Sequence, residues 1–234
     1  MSKRAVILAG GKGTRLKPYT ISLPKPLVPI GDMPILEIII RKLAKNGFDH
    51  ITITVNHMAD IIRAFCGDGS KWGVKVDYSL EDKPLSTMGP LKLIKDLPDN
   101  FLVMNGDVLT DLDFEEFYNE HVAQNNVFTI SAYTRDQKVD YGVLELGEDN
   151  KLVDFVEKPT TRYNVSMGVY MASSKILDYI PENQLYGFDH LMLDLIKFRN
   201  PATVKVHSGY WLDIGRPDDY EKACADFEEN KNIF

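Results

Sequence analysis

The first half of the chain alternates short apolar runs of strand type with segments of helical period. Arg4–Ala9 is a continuous apolar run, as expected for a strand that is buried on both faces of a sheet. Pro34–Asn46 then carries apolar residues at helical spacing, and Ile51–Val55 is a β-branched run that predicts the next strand. This β-α-β order predicts a parallel sheet with right-handed crossovers and helices on both faces. We therefore predict an α/β, Rossmann-like fold.

The second half of the chain has a different pattern, in which strand-like segments follow one another with only short polar breaks. We expect these strands to be antiparallel and to extend the sheet, which becomes mixed but mainly parallel. The segments are Val127–Thr134, Gly142–Leu146, Lys151–Glu157 and Val165–Ala172. A helix is predicted at Ile176–Ile180, and in the first half of the chain Pro90–Lys95 is predicted to be part of a helix. With 234 residues, 44% of them hydrophobic, and no repeat or linker, the chain is predicted to form one domain over residues 1–234.

The overall charge excludes some classes of partner. The formal net charge of -7 disfavours binding to nucleic acid or to an anionic membrane, so a polyphosphate must be met by local cations and backbone amides.

Apolar runs fall well short of the ~20 residues that cross a membrane. Cys66 and Cys224 lie far apart, without the spacing of metal ligands, which favours reduced thiols. We expect a cytoplasmic protein.

A glycine-rich segment directly follows the first predicted strand. Glycines at this place let backbone N–H groups approach an anion, and the cations Lys12, Arg15 and Lys25 lie close by in sequence. The segment lacks P-loop spacing, and Leu16 occupies the third glycine position of a dinucleotide fingerprint. Glycines alone would fit a tight turn with solvated lysines equally well. Arg15 at this spacing, with Lys25 between two prolines, favours a site for a nucleoside triphosphate.

The motif Gly-Gly-x-Gly-Thr-Arg-Leu followed by Pro-Lys-Pro resembles the signature of sugar-1-phosphate nucleotidyltransferases, and the order of motifs is closest to mannose-1-phosphate guanylyltransferase-like catalytic domains. The resemblance implies a fold of the nucleotide-diphospho-sugar transferase type. It also implies that Arg15 holds the leaving pyrophosphate and that Lys25 contacts the phosphates near the new bond. The residues that it assigns to nucleotide binding in this segment are Leu8, Ala9, Gly10, Gly11, Gly13 and Thr14.

Two aspartates are candidate metal ligands. Asp107 follows a buried strand, where a carboxylate can hold a hard cation, although a bare Gly-Asp is more often a turn or a helix cap. Asp213 lies in Trp211-Leu212-Asp213-Ile214-Gly215, which resembles the family's Trp-x-Asp-Ile-Gly segment. The resemblance implies that Asp107 and Asp213 together bind Mg²⁺, and that Arg15, Lys25 and Asp107 are the catalytic residues.

The segment Glu81–Leu91 resembles the base-contacting Glu-x-x-x-Leu-Gly-Thr-Ala-Gly segment of guanylyltransferases, and this implies that Glu81, Thr87 and Gly89 bind the nucleotide. Guanine offers two adjacent N–H donors that one carboxylate can accept together, whereas uracil or thymine also needs a donor. Glu81 therefore favours GTP if it reaches the base. Ser86 and Met88 replace the family's smaller residues, and a solvated loop carboxylate remains the alternative for Glu81.

A further set of motifs resembles the family's sugar-phosphate site. Tyr-Gly-Val, Glu-Lys-Pro and Ser-Met-Gly-Val-Tyr match its segments in order, with Ser166 where asparagine is common and Asn164 two residues earlier as the other polar candidate. The residues that the resemblance assigns to sugar-phosphate binding are Tyr141, Gly142, Glu157, Lys158, Asn164, Ser166 and Gly168.

The predicted reaction transfers a nucleotidyl group, with GTP as the favoured donor, to a sugar 1-phosphate and releases pyrophosphate. The resemblance places this reaction in nucleotide-sugar and cell-surface polysaccharide biosynthesis. Two alternatives stay open: a uridylyl-, thymidylyl- or cytidylyltransferase acting on another sugar 1-phosphate or on phosphocholine, and a non-catalytic nucleotide-sugar-binding regulatory subunit. We also expect a catalytic unit without a C-terminal β-helix, and a homodimer on base rate.

Overall fold

A computed structural model describes residues 2–229 of the chain. Its strands are β1 (Lys3–Leu8), β2 (Pro29–Ile30), β3 (Met33–Pro34), β4 (Phe48–Val55), β5 (Lys75–Leu80), β6 (Asn100–Asn105), β7 (Val108–Thr110), β8 (Phe128–Lys138), β9 (Val143–Leu146), β10 (Leu152–Val156), β11 (Thr160–Ser173), β12 (Thr203–His207) and β13 (Trp211–Asp213). Its α-helices are α1 (Ile35–Lys45), α2 (Ala59–Cys66), α3 (Phe114–Ala123), α4 (Phe188–Lys197) and α5 (Pro217–Glu229).

Seven strands form the central sheet in the order β12-β8-β11-β6-β1-β4-β5. The pairs β6-β1, β1-β4, β4-β5 and β12-β8 are parallel, whereas β11 runs antiparallel to both β6 and β8. The predicted fold class, a mixed and mainly parallel α/β sheet in one domain, is therefore confirmed. The parallel strands β1, β4 and β6 end at the same edge of the sheet, which is where ligands bind in folds of this type.

The alternation of side chains along β1 explains why residues 5–8 of this strand are all apolar. Ala5 and Ile7 belong to the hydrophobic core on one face of the sheet, while Val6 belongs to the core on the other face. All three side chains are fully buried, because α1 covers the first face and the segment around α4 covers the second. Residues 5–8 are apolar because both faces are covered, as the sequence predicted. Arg4 is the exception in this strand: it is buried at 4% exposure, donates hydrogen bonds to the Thr52 hydroxyl and forms an ion pair with Asp96.

Two predictions about local structure were wrong. The strands β9 and β10 pair only with each other and form a separate hairpin, so these segments do not extend the central sheet. Their side chains are exposed, since neither face of the hairpin is covered by a helix. The predicted short helices correspond to 3₁₀ helices at Gly89–Leu93 and Ser174–Asp178, each too short for α-helical hydrogen bonding to propagate.

Membrane insertion through a helix finds no support in the structure. Between residues 2 and 229, none of the helices combines the length and the apolar character needed to cross a bilayer.

Candidate active site

The glycine-rich loop leaves β1 and folds back on itself at the edge of the sheet. The Ala9 N–H donates to the carbonyl of Thr54 on β4 at 3.0 Å, which ties the start of the loop to the sheet. Gly13 has φ = 60°, and the Thr20 hydroxyl donates to its carbonyl at 2.7 Å. A Cβ at Gly13 would lie 3.0 Å from the Cβ of Lys25, so only glycine lets the loop approach this lysine.

The two predicted metal carboxylates are brought together by the β7-β13 pair. Asp107 lies just before β7 and Asp213 ends β13, and the Ile214 N–H donates to the Asp107 carbonyl at 3.0 Å. Lys25 Nζ forms an ion pair with Asp107 Oδ2. Asp107 Oδ1 is buried and has no hydrogen-bond partner within residues 2–229. A buried carboxylate oxygen without a partner is costly, so this atom marks a place for a cation or a donor.

The pKa of the Asp213 carboxyl reflects the charges around this pair. Partial desolvation, and then the nearby charge of Asp107, raise the pKa of its carboxyl, while Lys25 and Arg15 act in the opposite direction. Asp213 is nevertheless exposed to solvent. Two carboxylates that repel each other in this way are suited to share a divalent cation.

A cleft of about 460 Å³ opens between the glycine-rich loop and the ends of β4, β5 and β6. It contains the predicted nucleotide-binding residues Leu8, Gly10, Gly11, Glu81 and Thr87 together with Asp107. Four residues to which no motif assigned a role also line the cleft: Thr54, Asn56, Pro84 and Asn105. Asn56 and Asn105 lie at the ends of parallel strands, and this position could have identified them.

Glu81 is buried, with 7% of its surface exposed, so the alternative of a solvated loop carboxylate is wrong. Its Oε2 accepts a hydrogen bond from the Leu85 N–H at 3.2 Å. A Cβ at Gly10 would come within 2.6 Å of Oε1, which shows how closely the glycine-rich loop approaches this carboxylate. Burial raises the pKa of the Glu81 carboxyl, and the hydrogen bond from Leu85 opposes this shift. The structure thus places a desolvated acid in the wall of the cleft.

Other predicted nucleotide-binding residues have packing contacts. The Thr87 hydroxyl accepts from the Phe188 N–H at 2.8 Å and so joins the cleft wall to α4. Gly89 donates its N–H to the Tyr186 carbonyl at 2.8 Å, and a Cβ there would lie 2.9 Å from the Cβ of Leu85. Gly89 therefore allows close packing behind the cleft.

The predicted sugar-phosphate residues fall into two groups, of which the first lies at the base of the β9-β10 hairpin. A Cβ at Gly142 would lie 3.0 Å from Glu157 Oε2, so Tyr141-Gly142 and Glu157-Lys158 are neighbours in space. The Lys158 Nζ lies 3.9 Å from Glu157 Oε1, and both side chains are more than half exposed. This group presents one acid and one cation to solvent.

The second group lies on β11, beside the carboxylates. Gly168 has φ = 75°, and a Cβ there would come within 2.6 Å of the Asn105 side-chain nitrogen, so β11 closely approaches the end of β6. Ser166 Oγ forms a hydrogen bond with the Tyr170 hydroxyl at 3.0 Å and accepts one from the Gly168 N–H at 3.3 Å. Asn164 Oδ1 accepts from the Thr134 hydroxyl at 3.0 Å. Both polar candidates thus hold the strand in place.

Arg15 lines a second compartment of about 590 Å³ on the Asp213 side of the carboxylate pair. A Cβ at Gly215 would lie 3.7 Å from Arg15 Nη2, so the guanidinium lies beside the turn that precedes α5. The residues that line this second compartment are Arg15, Tyr133, Arg135, Trp211, Leu212, Asp213, Gly215, Arg216, Asp219 and Lys222.

A mainly parallel sheet, a glycine-rich loop that meets a cation, and a carboxylate pair near the strand ends are features that α/β folds of this type combine in ligand sites. Comparison with known families identifies the class of the protein: the chain belongs to the Nucleotidyl transferase family, which matches residues 4–230. This result confirms the resemblance found in the sequence.

Individual relatives carry two kinds of name. The chain is 33% identical to a UTP--glucose-1-phosphate uridylyltransferase of Synechocystis sp., over 98% of this chain and 65% of that protein. It is 30% identical to a mannose-1-phosphate guanylyltransferase of Mycobacterium tuberculosis, over 95% of this chain and 64% of that protein. The chain thus spans slightly less than two thirds of the length of these two relatives.

Solved structures share the whole fold. HddC from Yersinia pseudotuberculosis is 32% identical, with a TM-score of 0.75 over 96% of this chain and 99% of that chain. A second structure of HddC, complexed with GMP-PN, is 31% identical with a TM-score of 0.73 at the same coverage.

Proposed function

We propose that this protein is a sugar-1-phosphate nucleotidyltransferase, which converts a nucleoside triphosphate and a sugar 1-phosphate into a nucleotide sugar and pyrophosphate. The observation that carries the proposal is the cluster of Asp107, Asp213 and Lys25 at the mouth of the glycine-rich loop. Lys25 can attract a phosphate here, and a divalent cation held by the two carboxylates could bind further phosphate oxygens. Family membership supports the same reaction class. The proposed setting is the cytoplasm, where nucleoside triphosphates are available.

The reaction requires no strong base. An oxygen of the sugar phosphate, already anionic, attacks the α-phosphorus of the triphosphate, and the bond from that phosphorus to the bridging oxygen breaks to release pyrophosphate. Catalysis therefore depends on positioning and on stabilising charge. Lys25, only 11% exposed, is suited to neutralise the transferring phosphoryl group. Arg15 is proposed to hold the pyrophosphate, and the exposed Lys158 to hold the sugar phosphate.

Asp107 and Asp213 would hold Mg²⁺. The fit rests on the buried Oδ1 of Asp107, which has no hydrogen-bond partner in the described part of the chain, and on the like-charge repulsion that contributes to the raised pKa of Asp213. Two carboxylates are a sufficient protein contribution, because Mg²⁺ commonly takes its remaining ligands from phosphates and water. When bound, the ion would neutralise charge on the phosphate oxygens.

We propose GTP as the nucleotide. Glu81 is a buried carboxylate in the cleft wall, and its Oε1 lies next to Gly10 of the glycine-rich loop. Two adjacent N–H donors of guanine would satisfy this acid, whereas a pyrimidine such as uracil offers one such donor beside acceptors. The structure of HddC complexed with GMP-PN gives support. The uridylyltransferase relative makes UTP the second candidate.

The test combines the four common NTPs with a panel of sugar 1-phosphates and measures pyrophosphate release in the presence of MgCl₂. We expect GTP to give the highest kcat/KM, and Glu81→Gln to lose at least about tenfold of the preference for GTP over UTP. Asp82→Asn, an exposed neighbour, is the matched control and should keep the preference. Absence of pyrophosphate with every pair would refute the transferase and favour a non-catalytic binding subunit. A preference for UTP that Glu81→Gln leaves unchanged would refute the assignment of the base.

A further inference from the structure

The second compartment is lined by four cations that come from distant parts of the sequence. Arg15 belongs to the glycine-rich loop and Arg135 to the outer half of β8, while Arg216 directly precedes α5 and Lys222 lies in the first half of that helix. Within residues 2–229, none of these four side chains makes an ion pair within 4.0 Å or donates a hydrogen bond. A cluster of unpaired cations is unfavourable in the absence of an anion.

The two carboxylates that line the second compartment offset only part of its positive charge. Asp219 accepts hydrogen bonds from the N–H groups of Gly215 at 3.2 Å and Arg216 at 2.9 Å, so it caps the start of α5. Asp213 faces Asp107, the other member of the carboxylate pair. Cations therefore outnumber acids locally in a chain whose net charge is -7.

We propose that the second compartment binds the pyrophosphate leaving group, and that Arg216 and Lys222 are pyrophosphate-binding residues in addition to Arg15. This inference rests on the proposed function. Arg15 is shared between the glycine-rich loop and the second compartment, which lies beyond Asp213 from the nucleotide cleft. A triphosphate that enters along the loop would extend its terminal phosphates into this space. Guanidinium groups match phosphate oxygens by paired hydrogen bonds.

The reverse reaction tests the proposal directly. There, an oxygen of pyrophosphate attacks the nucleotide sugar at the phosphorus bonded to the nucleoside, and the bond to the sugar phosphate breaks. We expect Arg216→Ala and Lys222→Ala each to raise the KM for pyrophosphate about fivefold, and the double variant about twentyfold. The KM for the nucleotide sugar should not change, and Arg216→Lys should recover part of the loss.

Lys45→Ala is the matched control, because it removes one exposed positive charge from the end of α1 without touching the second compartment. An unchanged KM for pyrophosphate in the double variant would overturn the proposal. A raised KM for the sugar 1-phosphate in the forward reaction, with that for pyrophosphate unchanged, would also overturn it, since the cations would then bind the other substrate.

Calorimetry with inorganic pyrophosphate and MgCl₂ separates this proposal from the proposed function. If the wild-type protein releases no pyrophosphate from any NTP, the proposed function fails. Binding of inorganic pyrophosphate to wild type that the double variant loses would still support an anion site in the second compartment. Equal binding by both proteins would overturn it.

Discussion

Replacing Asp107 by asparagine separates the catalytic demand on this residue from its effect on folding. The substitution keeps the size of the side chain and removes one charge from the carboxylate pair. Lys25, which is 11% exposed, then loses its charged partner, and this loss is unfavourable. Asp213 is at the same time relieved of the like charge that contributes to its raised pKa. Because the two effects oppose each other, we expect the Tm of Asp107→Asn to stay within about 3 °C of wild type.

Activity should respond very differently. The asparagine side chain would offer one neutral oxygen where Mg²⁺ prefers an anionic ligand, and it would no longer hold Lys25 by charge. We expect kcat to fall at least about 100-fold, which corresponds to about 2.7 kcal/mol of lost transition-state stabilisation. The measurement is pyrophosphate release at saturating substrates, paired with a thermal melt of the same protein.

Asp111→Asn is the matched control for this experiment. Asp111 lies in the same segment, but its carboxylate pairs with His207 at 2.6 Å and does not line the nucleotide cleft. This variant should retain a kcat near that of wild type. A near-normal kcat for Asp107→Asn would refute the reasoning, and so would equal losses in both variants, because the effect would then come from the fold of the segment.

Two other predictions concern the cleft and the core. Gly10→Ala would place a Cβ 2.6 Å from Glu81 Oε1 and displace that carboxylate. The KM for GTP should therefore rise about tenfold, with little change in Tm. An unchanged KM would show that Glu81 does not contact the base. Burial lowers the pKa of His121 to about 4, which is below its value in the unfolded chain. As pH falls below the unfolded pKa, the unfolded chain therefore binds a proton that the folded protein does not, and the free energy of unfolding decreases. From about pH 7.5 to about pH 5 the loss should be about 2 kcal/mol in urea titrations, and His121→Gln should abolish it; identical pH slopes for both proteins would contradict this.

The central sheet could be predicted because its strands obey a local rule. Residues 5–8 of β1 are apolar at consecutive positions because helices cover both faces of the sheet. Such a continuous apolar run can be recognised in the sequence. The hairpin β9-β10 cannot be recognised in this way, since strand propensity does not specify which strand is the partner. Its placement depends on the long β8 and β11, which pair beyond the main sheet and carry the hairpin outward.

Motifs identified several residues that line the cleft beside the glycine-rich loop, but they could not define the second compartment. Arg135 and Lys222 belong to no motif, and they meet Arg15 only because β8, α5 and the glycine-rich loop converge beside Asp213. The spacing of residues in the sequence does not indicate which distant side chains lie close together in the fold. Arg216 directly follows the Trp-x-Asp-Ile-Gly segment in the sequence. Its proposed role in anion binding nevertheless becomes apparent only in the structure, where the other cations lie around it.

Glu81 shows what burial adds to a motif. In the sequence this residue could be a solvated loop acid or a contact to the base, and residue type alone does not separate the two. The structure buries it beside Gly10, and within residues 2–229 the Leu85 N–H is the one donor to its carboxylate. A buried carboxylate with a single hydrogen bond is either protonated or completed by donors from a ligand. In the wall of the cleft, such an acid favours a ligand with two adjacent N–H groups, and this requirement is the physical basis of the proposal of GTP.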